Sequence, residues 1–444
     1  MSFDRQSLLG KLSMLADLAG RPSRLVIGFS GGLDSTVLLH ALATAREEQA
    51  PSLLAVYIDH DLHSDSVEWG KHCESVAQRL GVAFLQLDIR VNTDSGQGME
   101  GAARIARYDA FREVVRAGDW LLSAHHKDDQ AETLMLNLLR GSGPAGLAGI
   151  GEVQPFSDGW LVRPLLSFAR TELQAYAKAH DLAWIDDPSN EDRRFDRNYL
   201  RHEVFPKLEH RWPEASSRLR QSALLAGEAA NLLDQMADAD LQSLGDRPDR
   251  LSLTGLRALP SARQRNLLRY AVRELGLPAP PAGQLASIVT DLIPAREDAQ
   301  PIVQWTGAEI RRYRDKVYVL PAVTEHVGST PVPMTGDTLQ LGHGMGELWL
   351  ESGAGTGLAE SIVAAGLEVR FRKGGEELKL SGQSHTKKLK KLLQDAGVVP
   401  WMRECLPLLY SGGELVAVAD LWIASAAASE PGIAVHWKNR PPIH

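Results

Sequence analysis

The chain has only two cysteines in 444 residues, Cys73 and Cys405. They are too few and too far apart for a disulfide scaffold or a Cys-x-x-Cys site. No run approaches the roughly 18 apolar residues of a membrane-spanning helix. Met1–Gly20 places Leu8, Leu12, Leu15 and Ala19 at helical spacing but lacks a basic start followed by a continuous apolar block. A secretory signal is therefore not expected, and a cytoplasmic protein with no membrane partner is. Repeats and low-complexity tracts are missing too. So is any excess of positive charge: the net charge is −8, which excludes a generic polyanion binder. Locally the balance reverses. From Arg193 to Arg220 eight Lys/Arg stand against four Asp/Glu, and from Arg370 to Lys391 eight stand against two. Either segment alone reads as solvated surface, but two on an acidic chain point to specific contact with a polyanion.

At roughly 100–200 residues per domain, the length predicts two to four domains. The first part alternates short apolar runs with helical patterns. Strands are predicted at Leu25–Phe29, Leu53–Ile58, Ala83–Leu87 and Trp120–Ser123, and helices at Thr36–Ala45, Asp65–Leu80, Glu100–Val115 and Ala131–Leu139. That alternation predicts an α/β fold, an N-terminal doubly wound parallel sheet with ligands at the carboxyl ends of its strands. Gly141–Gly151 reads as a loop and Ser216–Leu244 as one long helix, broken at Gly245–Asp249. Helical patterns follow at Ala262–Leu275 and Gly283–Leu292, then a hairpin over Gln304–Leu320 around Arg314-Asp315. Pro321–Pro333 reads as a linker, and Met334–His444 as a small α+β region with one basic helix. The expected division is 1–215, a mainly helical middle 216–325, and 334–444.

The most informative string is Val26-Ile27-Gly28-Phe29-Ser30-Gly31-Gly32-Leu33-Asp34-Ser35-Thr36. A strand runs into Ser-Gly-Gly, and a helix begins at Asp34 or Ser35. Glycines let successive N–H groups face an anion, and the helix N-terminus adds favourable dipole charge. Ser30 and Ser35 add hydroxyl donors. No lysine follows the glycines, so this is not a Walker A loop, and the dinucleotide spacing is also missing. Asp34 would repel a bare phosphate and becomes sensible with a Mg²⁺ between them.

Ser123–Thr133 follows a strand and opens a helix. Asp129 and Glu132 suit a capping box, a metal ligand pair or a proton acceptor equally well on spacing alone. His125 and His126 are adjacent on extended chain, so they point apart and a zinc pair is not expected. Arg104 and Arg107 share a helical face and read as an exposed basic face or as a phosphate clamp. Asp59-His60 ends the second strand, where a base or ribose would lie. In Asp187–Arg201, Arg197 and Arg201 lie one turn apart with Asn198 beside them, which suits phosphate or nucleotide contact. Leu389, Leu392, Leu393 and Ala396 form an apolar stripe, and Lys387, Lys388, Lys390 and Lys391 mostly fall off it, facing a phosphate backbone.

Ser30–Ser35 resembles the pyrophosphatase-loop enzymes (PP-loop, adenine nucleotide alpha hydrolase-like), which cleave ATP to AMP and pyrophosphate. Further blocks make the resemblance narrower: His125–Thr133, Arg140–Ile150, Arg163–Leu166, Asp187–Arg201 and Lys387–Tyr410. In that order they resemble the tRNA(Ile)-lysidine synthetase family. One departure is that family members often carry His-Thr-Ala-Asp-Asp where this chain has His125-His126-Lys127-Asp128-Asp129, so no role is read for residues 126 and 127. The resemblance implies a ligase that adenylates C2 of the wobble cytidine in tRNA(Ile) with a CAU anticodon. Free L-lysine then displaces AMP, which changes decoding from AUG to AUA. It implies ATP and Mg²⁺ at Ser30, Gly31, Gly32, Leu33, Asp34, Ser35, Asp59, His60 and His125, with Asp34 and Asp129 on the metal. Asp34, Asp129, Arg104 and Arg197 would be catalytic. Arg107, Asp129 and Glu132 would contact lysine or phosphates, and Asn198, Arg201 and the four lysines would bind tRNA. A homodimer is compatible with the sequence.

Three rivals share the loop or the charge pattern. A tRNA-thiolating enzyme needs a reactive thiolate, often a cysteine pair. A small-molecule amide synthetase has no use for the basic C-terminal region. A non-catalytic RNA-binding protein with a relic nucleotide loop would not keep the second carboxylate block.

Overall fold

The protein is described here by a computed structural model covering residues 3–45, 50–60, 65–90, 98–296, 299–322, 331–342, 344–380, 383 and 385–443. It divides into two compact units, Met1–Leu233 and Asp234–His444.

In the first unit, strands β1 (Arg24–Gly28), β2 (Ser52–Asp59), β3 (Ala83–Asp88) and β4 (Asp119–Leu122) are parallel neighbours in the order β3-β2-β1-β4. β5 (Val153–Phe156) and β6 (Gly159–Val162) extend the sheet, β6 parallel to β4 and β5 antiparallel at the edge. The central strands read as apolar runs because both faces are covered. On one face Leu25, Ile27 and Leu122 pack with Leu38 and Leu39. On the other, Val26, Val56 and Leu121 pack with Phe111 and Val115. The first five helices are α1 (Arg5–Ala19), α2 (Leu33–Thr44), α3 (Ser66–Arg79), α4 (Gly98–Val114) and α5 (Lys127–Leu139). Strand order reverses between β1 and β4, so the crevice for ligands lies at the carboxyl ends of these two strands.

Two helix starts lie earlier than the sequence suggests. α2 begins at Leu33, capped by the Gly32 backbone. α5 begins at Lys127, four residues before the apolar stretch from Ala131. His126 is its N-cap, and its backbone N–H donates to Asp129 Oδ2 at 2.9 Å. The reciprocal cap therefore uses Asp129 and not the Asp129–Glu132 pair.

In the second unit, Arg250–Ser252, Ile302–Trp305, Ala308–Tyr313 and Lys316–Pro321 form a four-stranded antiparallel sheet. The expected hairpin is thus one part of a larger sheet. Leu251, Leu267, Leu268, Ile310, Val317 and Val319 belong to one apolar core; Leu348, Val369, Leu389, Leu408 and Val418 belong to another. Most of the expected linker, 323–330, lies outside the described residues. The expected basic helix is shorter than its charge run. Lys387-Lys388 pair as a strand with Glu377-Leu378, and the helix is Leu389–Asp395. Leu389, Leu392 and Leu393 are buried as expected, but Ala396 is exposed because the helix has already ended.

Candidate active site at the strand-order switch

The loop after β1 is fixed by its own polar atoms. Ser35 Oγ donates to Gly32 O at 3.0 Å and lies 3.2 Å from Ser30 Oγ. Thr36 Oγ1 donates to Gly31 O at 3.2 Å, and Ile185 N–H donates to the same carbonyl at 2.9 Å. Gly31 has φ +77°, and a Cβ there would lie 2.6 Å from Ile185 Cδ1 and 2.9 Å from Cys73 Sγ. Only glycine makes this turn at this closeness. Gly32 caps α2 without a side-chain hydrogen bond, which leaves the first-turn N–H groups for an anion.

The loop after β4 brings the second block beside it. His126, 1% exposed, stands among three carboxylates: Nε2 is 3.6 Å from Asp34 Oδ2 and 3.5 Å from Asp129 Oδ2, and Nδ1 is 3.4 Å from Asp128 Oδ2. Burial opposes its charge, but Asp129, Asp128 and Asp34 outweigh burial and lift the imidazole to about 9. His125 points elsewhere, with Nδ1 2.6 Å from Ser123 Oγ. Burial chiefly, helped by Arg163, Arg197 and Arg104, lowers its pKa to about 3, so it is a neutral imidazole.

The two acidic residues differ in kind. Burial pushes the Asp34 carboxyl up, and its Oδ1 is enclosed without a hydrogen-bond partner. Asp129 is held well below the usual carboxylate range: burial works against this, but His126, Arg197 and the His126 N–H prevail. Its Oδ1 faces Arg201 Nη2 at 3.2 Å and Arg197 Nη2 at 3.4 Å. Glu132, 2% exposed, accepts from both guanidinium groups, with Arg197 Nε at 2.8 Å and Arg201 Nε at 2.7 Å. Arg197 lies on the short helix Asp196–Tyr199, and Arg201 follows in a wide turn, Leu200–Val204. Such wide turns recur at functional sites.

A Mg²⁺ that arrives with ATP is held by one or two carboxylates and by phosphate oxygens. The unpartnered Asp34 Oδ1 fits that role. Asp129 fits it less well, because both its oxygens already meet donors. Among the described residues no cluster of three His, Cys, Asp or Glu is arranged for a metal on its own.

The remaining expected residues are placed as follows. Asp59 is buried at the end of β2, and His60 Nε2 accepts from Arg107 Nε at 3.2 Å. Burial and Arg107 lower the His60 pKa to about 4. Arg104 is exposed, its guanidinium 5.2 Å above the Tyr108 ring. Asn198 was expected to contact RNA, yet it is buried and donates both amide hydrogens inward, to Ser189 O at 2.9 Å and Asp192 O at 3.0 Å. It holds the 187–192 loop. Arg201, also expected at RNA, is committed to Glu132 and Asp129. Lys387, Lys388, Lys390 and Lys391 are all exposed. His126 is the residue the sequence reading missed: spacing does not reveal that its ring is enclosed by three carboxylates. Cys73 is buried, and burial pushes its thiol up to about 12, which removes the thiolate that a sulfur-transfer reading needs.

Comparison with known proteins covers most of the chain. Residues 8–208 match the PP-loop domain, 251–318 the TilS substrate binding domain and 367–437 the TilS substrate C-terminal domain. The tRNA(Ile)-lysidine synthase of Alkalilimnicola ehrlichii is 42% identical over 93% of both chains. That of Xanthomonas campestris pv. campestris is 39% identical over 95% of this chain and 97% of its own. That of Methylococcus capsulatus is 38% identical over 93% of this chain and 95% of its own. With such identity over nearly its whole length, the chain belongs to the tRNA(Ile)-lysidine synthase family.

Proposed function

We propose that this protein joins free L-lysine to C2 of the wobble cytidine of tRNA(Ile) with a CAU anticodon. It is then a ligase that forms a C–N bond and releases AMP and pyrophosphate. The observation that supports this most is the meeting, at the β1–β4 switch, of an N–H-lined anion loop with Asp34, His126 and Asp129. The first step needs a phosphate cradle, and the second needs polar groups beside it that receive lysine's amine.

In this reading Ser30–Ser35 holds the β and γ phosphates, with Asp59 and His60 towards the nucleoside. Cytidine O2 attacks the α-phosphate, and pyrophosphate leaves. Adenylation turns a poor leaving group into a good one. When bound, Mg²⁺ neutralises charge on the phosphates, and Asp34 holds it. The His126 imidazolium keeps Asp34 and Asp129 ionised and aligned. Lysine's ε-amine, as the neutral base, then attacks C2; the C2–O bond breaks, AMP leaves with that oxygen, and the proton released from the amine passes to solvent. Asp129 is too acidic to be a strong base, so its part is to set fixed negative charge beside the incoming amine. Glu132 locks Arg197 and Arg201, which carry positive charge at the mouth of the site, and Arg104 and Arg107 add exposed positive charge for phosphates or lysine's carboxylate. Lys387, Lys388, Lys390 and Lys391 contact the tRNA backbone. The functional division is 1–215 for catalysis, 216–325 for substrate contacts and 334–444 for tRNA binding, in a cytoplasmic protein. No described helix is long and apolar enough to cross a membrane.

The two steps separate experimentally. Pyrophosphate release should require the tRNA but not lysine, and AMP release should require both. AMP formed from ATP and lysine without tRNA would remove the adenylated-cytidine route.

A further inference from the structure

The strand Lys316–Pro321 serves two cores at once. Val317 and Val319 point into the core of 241–319, whereas Tyr318 and Leu320 belong to the core built from 345–443. This is the period of two of a strand, applied to a sheet buried on both faces. The neighbouring turn adds polar ties in both directions. Arg314 sits at φ +51°, a left-handed conformation unusual for a side-chain-bearing residue. From there its Nη2 donates to Gln394 O at 3.0 Å, at the carbonyl end of the helix Leu389–Asp395. Asp315 turns the other way. Its Oδ1 accepts from Thr254 N–H at 3.0 Å and from Thr254 Oγ1 at 2.7 Å, at the first turn of Leu253–Ala258.

Aromatic rings and arginines complete the joint. The guanidinium groups of Arg314 and Arg403 lie 5.2 Å and 5.7 Å from the centre of the Tyr313 ring. Arg403 Nη2 donates to Tyr313 Oη at 2.8 Å while its Nε donates to Val398 O at 2.8 Å. Trp401 packs edge-on to Tyr318 at 5.1 Å and under Arg311 at 5.3 Å. Val398, Trp401 and Arg403 directly follow the helix that carries Lys390 and Lys391 and that continues from Lys387-Lys388.

We propose that the 308–321 hairpin is a positioning joint: Tyr313 and Arg314 hold the lysine-bearing segment 387–391 in register with the 250–321 sheet, so that both bear on one tRNA. The inference rests on the reading of those lysines as tRNA contacts. A free charged segment would bind RNA phosphate too, but it would lose affinity in being ordered, and the joint removes that loss beforehand. Tyr313 and Arg314 are positioning residues that touch no substrate.

The test uses the full-length chain with Arg314→Gln, Tyr313→Phe and the double variant. Each is also made in a background in which Lys387, Lys388, Lys390 and Lys391 are alanine. The double variant should raise the tRNA KM by about three- to five-fold, the scale of a helix-end charge plus a hydrogen bond. The kcat and the KM values for ATP and lysine should not move. Arg314→Lys should recover part of the loss. In the lysine-free background the joint substitutions should add nothing. An unchanged tRNA KM with the lysines present would overturn the proposal, as would an equal further loss in the lysine-free background. If the lysine-free chain binds tRNA like the parent, the reading of the segment fails and the joint's role with it, while lysine incorporation would still report on the proposed activity separately.

Discussion

Nε2 of His126 stands 3.6 Å from Oδ2 of Asp34, joining the first residue block after β1 to the second block after β4 across the strand-order switch. A buried cation at this place makes two nearby carboxylates tolerable in one enclosed site. Asp34 pays the remaining cost, with its carboxyl pushed up by burial.

Asp34 should therefore trade stability for activity. Asp34→Asn should lower lysine incorporation by about 10²–10³-fold, the scale of losing one preorganised electrostatic group. For an acid whose folded pKa is raised, ionisation opposes folding once the pH exceeds the unfolded value of about 4. Thermal melting at pH 7 should thus show the variant as stable as the parent or more so, with the difference shrinking towards pH 4.

His126 should show the opposite pH dependence. Its folded pKa is lifted to about 9 from 6.5. The stabilisation is complete below pH 6.5 and is lost as pH rises through 9, on the order of 3 kcal/mol in all. His126→Gln should lower Tm clearly at pH 6.5 and little at pH 9.5. Melting curves at both values check this, and an equal loss at both would show that the ring acts by packing alone.

Glu132 is the anchor for two arginines. Removing a buried partner from a charge network costs about 3–5 kcal/mol. Glu132→Ala should show a loss of that order in urea unfolding. Glu132→Gln should lose less, because it keeps one acceptor for the guanidinium groups.

The lysine segment should be visible in salt dependence. Each phosphate contact contributes about 0.9 to the slope of log K against log salt. Replacing Lys387, Lys388, Lys390 and Lys391 with alanine should flatten the slope for tRNA binding by up to about 3.6 units. An unchanged slope would place the RNA elsewhere on the surface.

Much of the first unit was legible because strands covered on both faces leave plain apolar runs, as at Leu25–Phe29, and helices between them force a parallel order. The nucleotide loop was legible because Ser-Gly-Gly-x-Asp-Ser joins backbone freedom to hydroxyl and carboxylate chemistry in one string. The start of α5 was not, because its cap is a histidine backbone answered by Asp129 rather than a Ser or Asp side chain. Asn198 misled for a related reason: an amide beside two arginines looks like a ligand contact until its carbonyl partners, Ser189 and Asp192, are known. His126 and Arg314 act through residues far away in sequence. Spacing alone carries no trace of Asp34 beside one or Gln394 beside the other. The lysines were legible as charge, but their split between a strand pair and a short helix depends on Glu377 and Leu378, which local periodicity does not include.

The most direct measurement incubates the purified protein with ATP, Mg²⁺, radiolabelled lysine and an isoleucine tRNA carrying CAU. Label is then counted in acid-precipitable RNA after mild base. The account predicts stable incorporation that is lost with Asp34→Ala, since an aminoacyl ester would not survive the base. Conversion of ATP to AMP without base-stable lysine in the RNA, or incorporation that persists with Asp34→Ala, would contradict it.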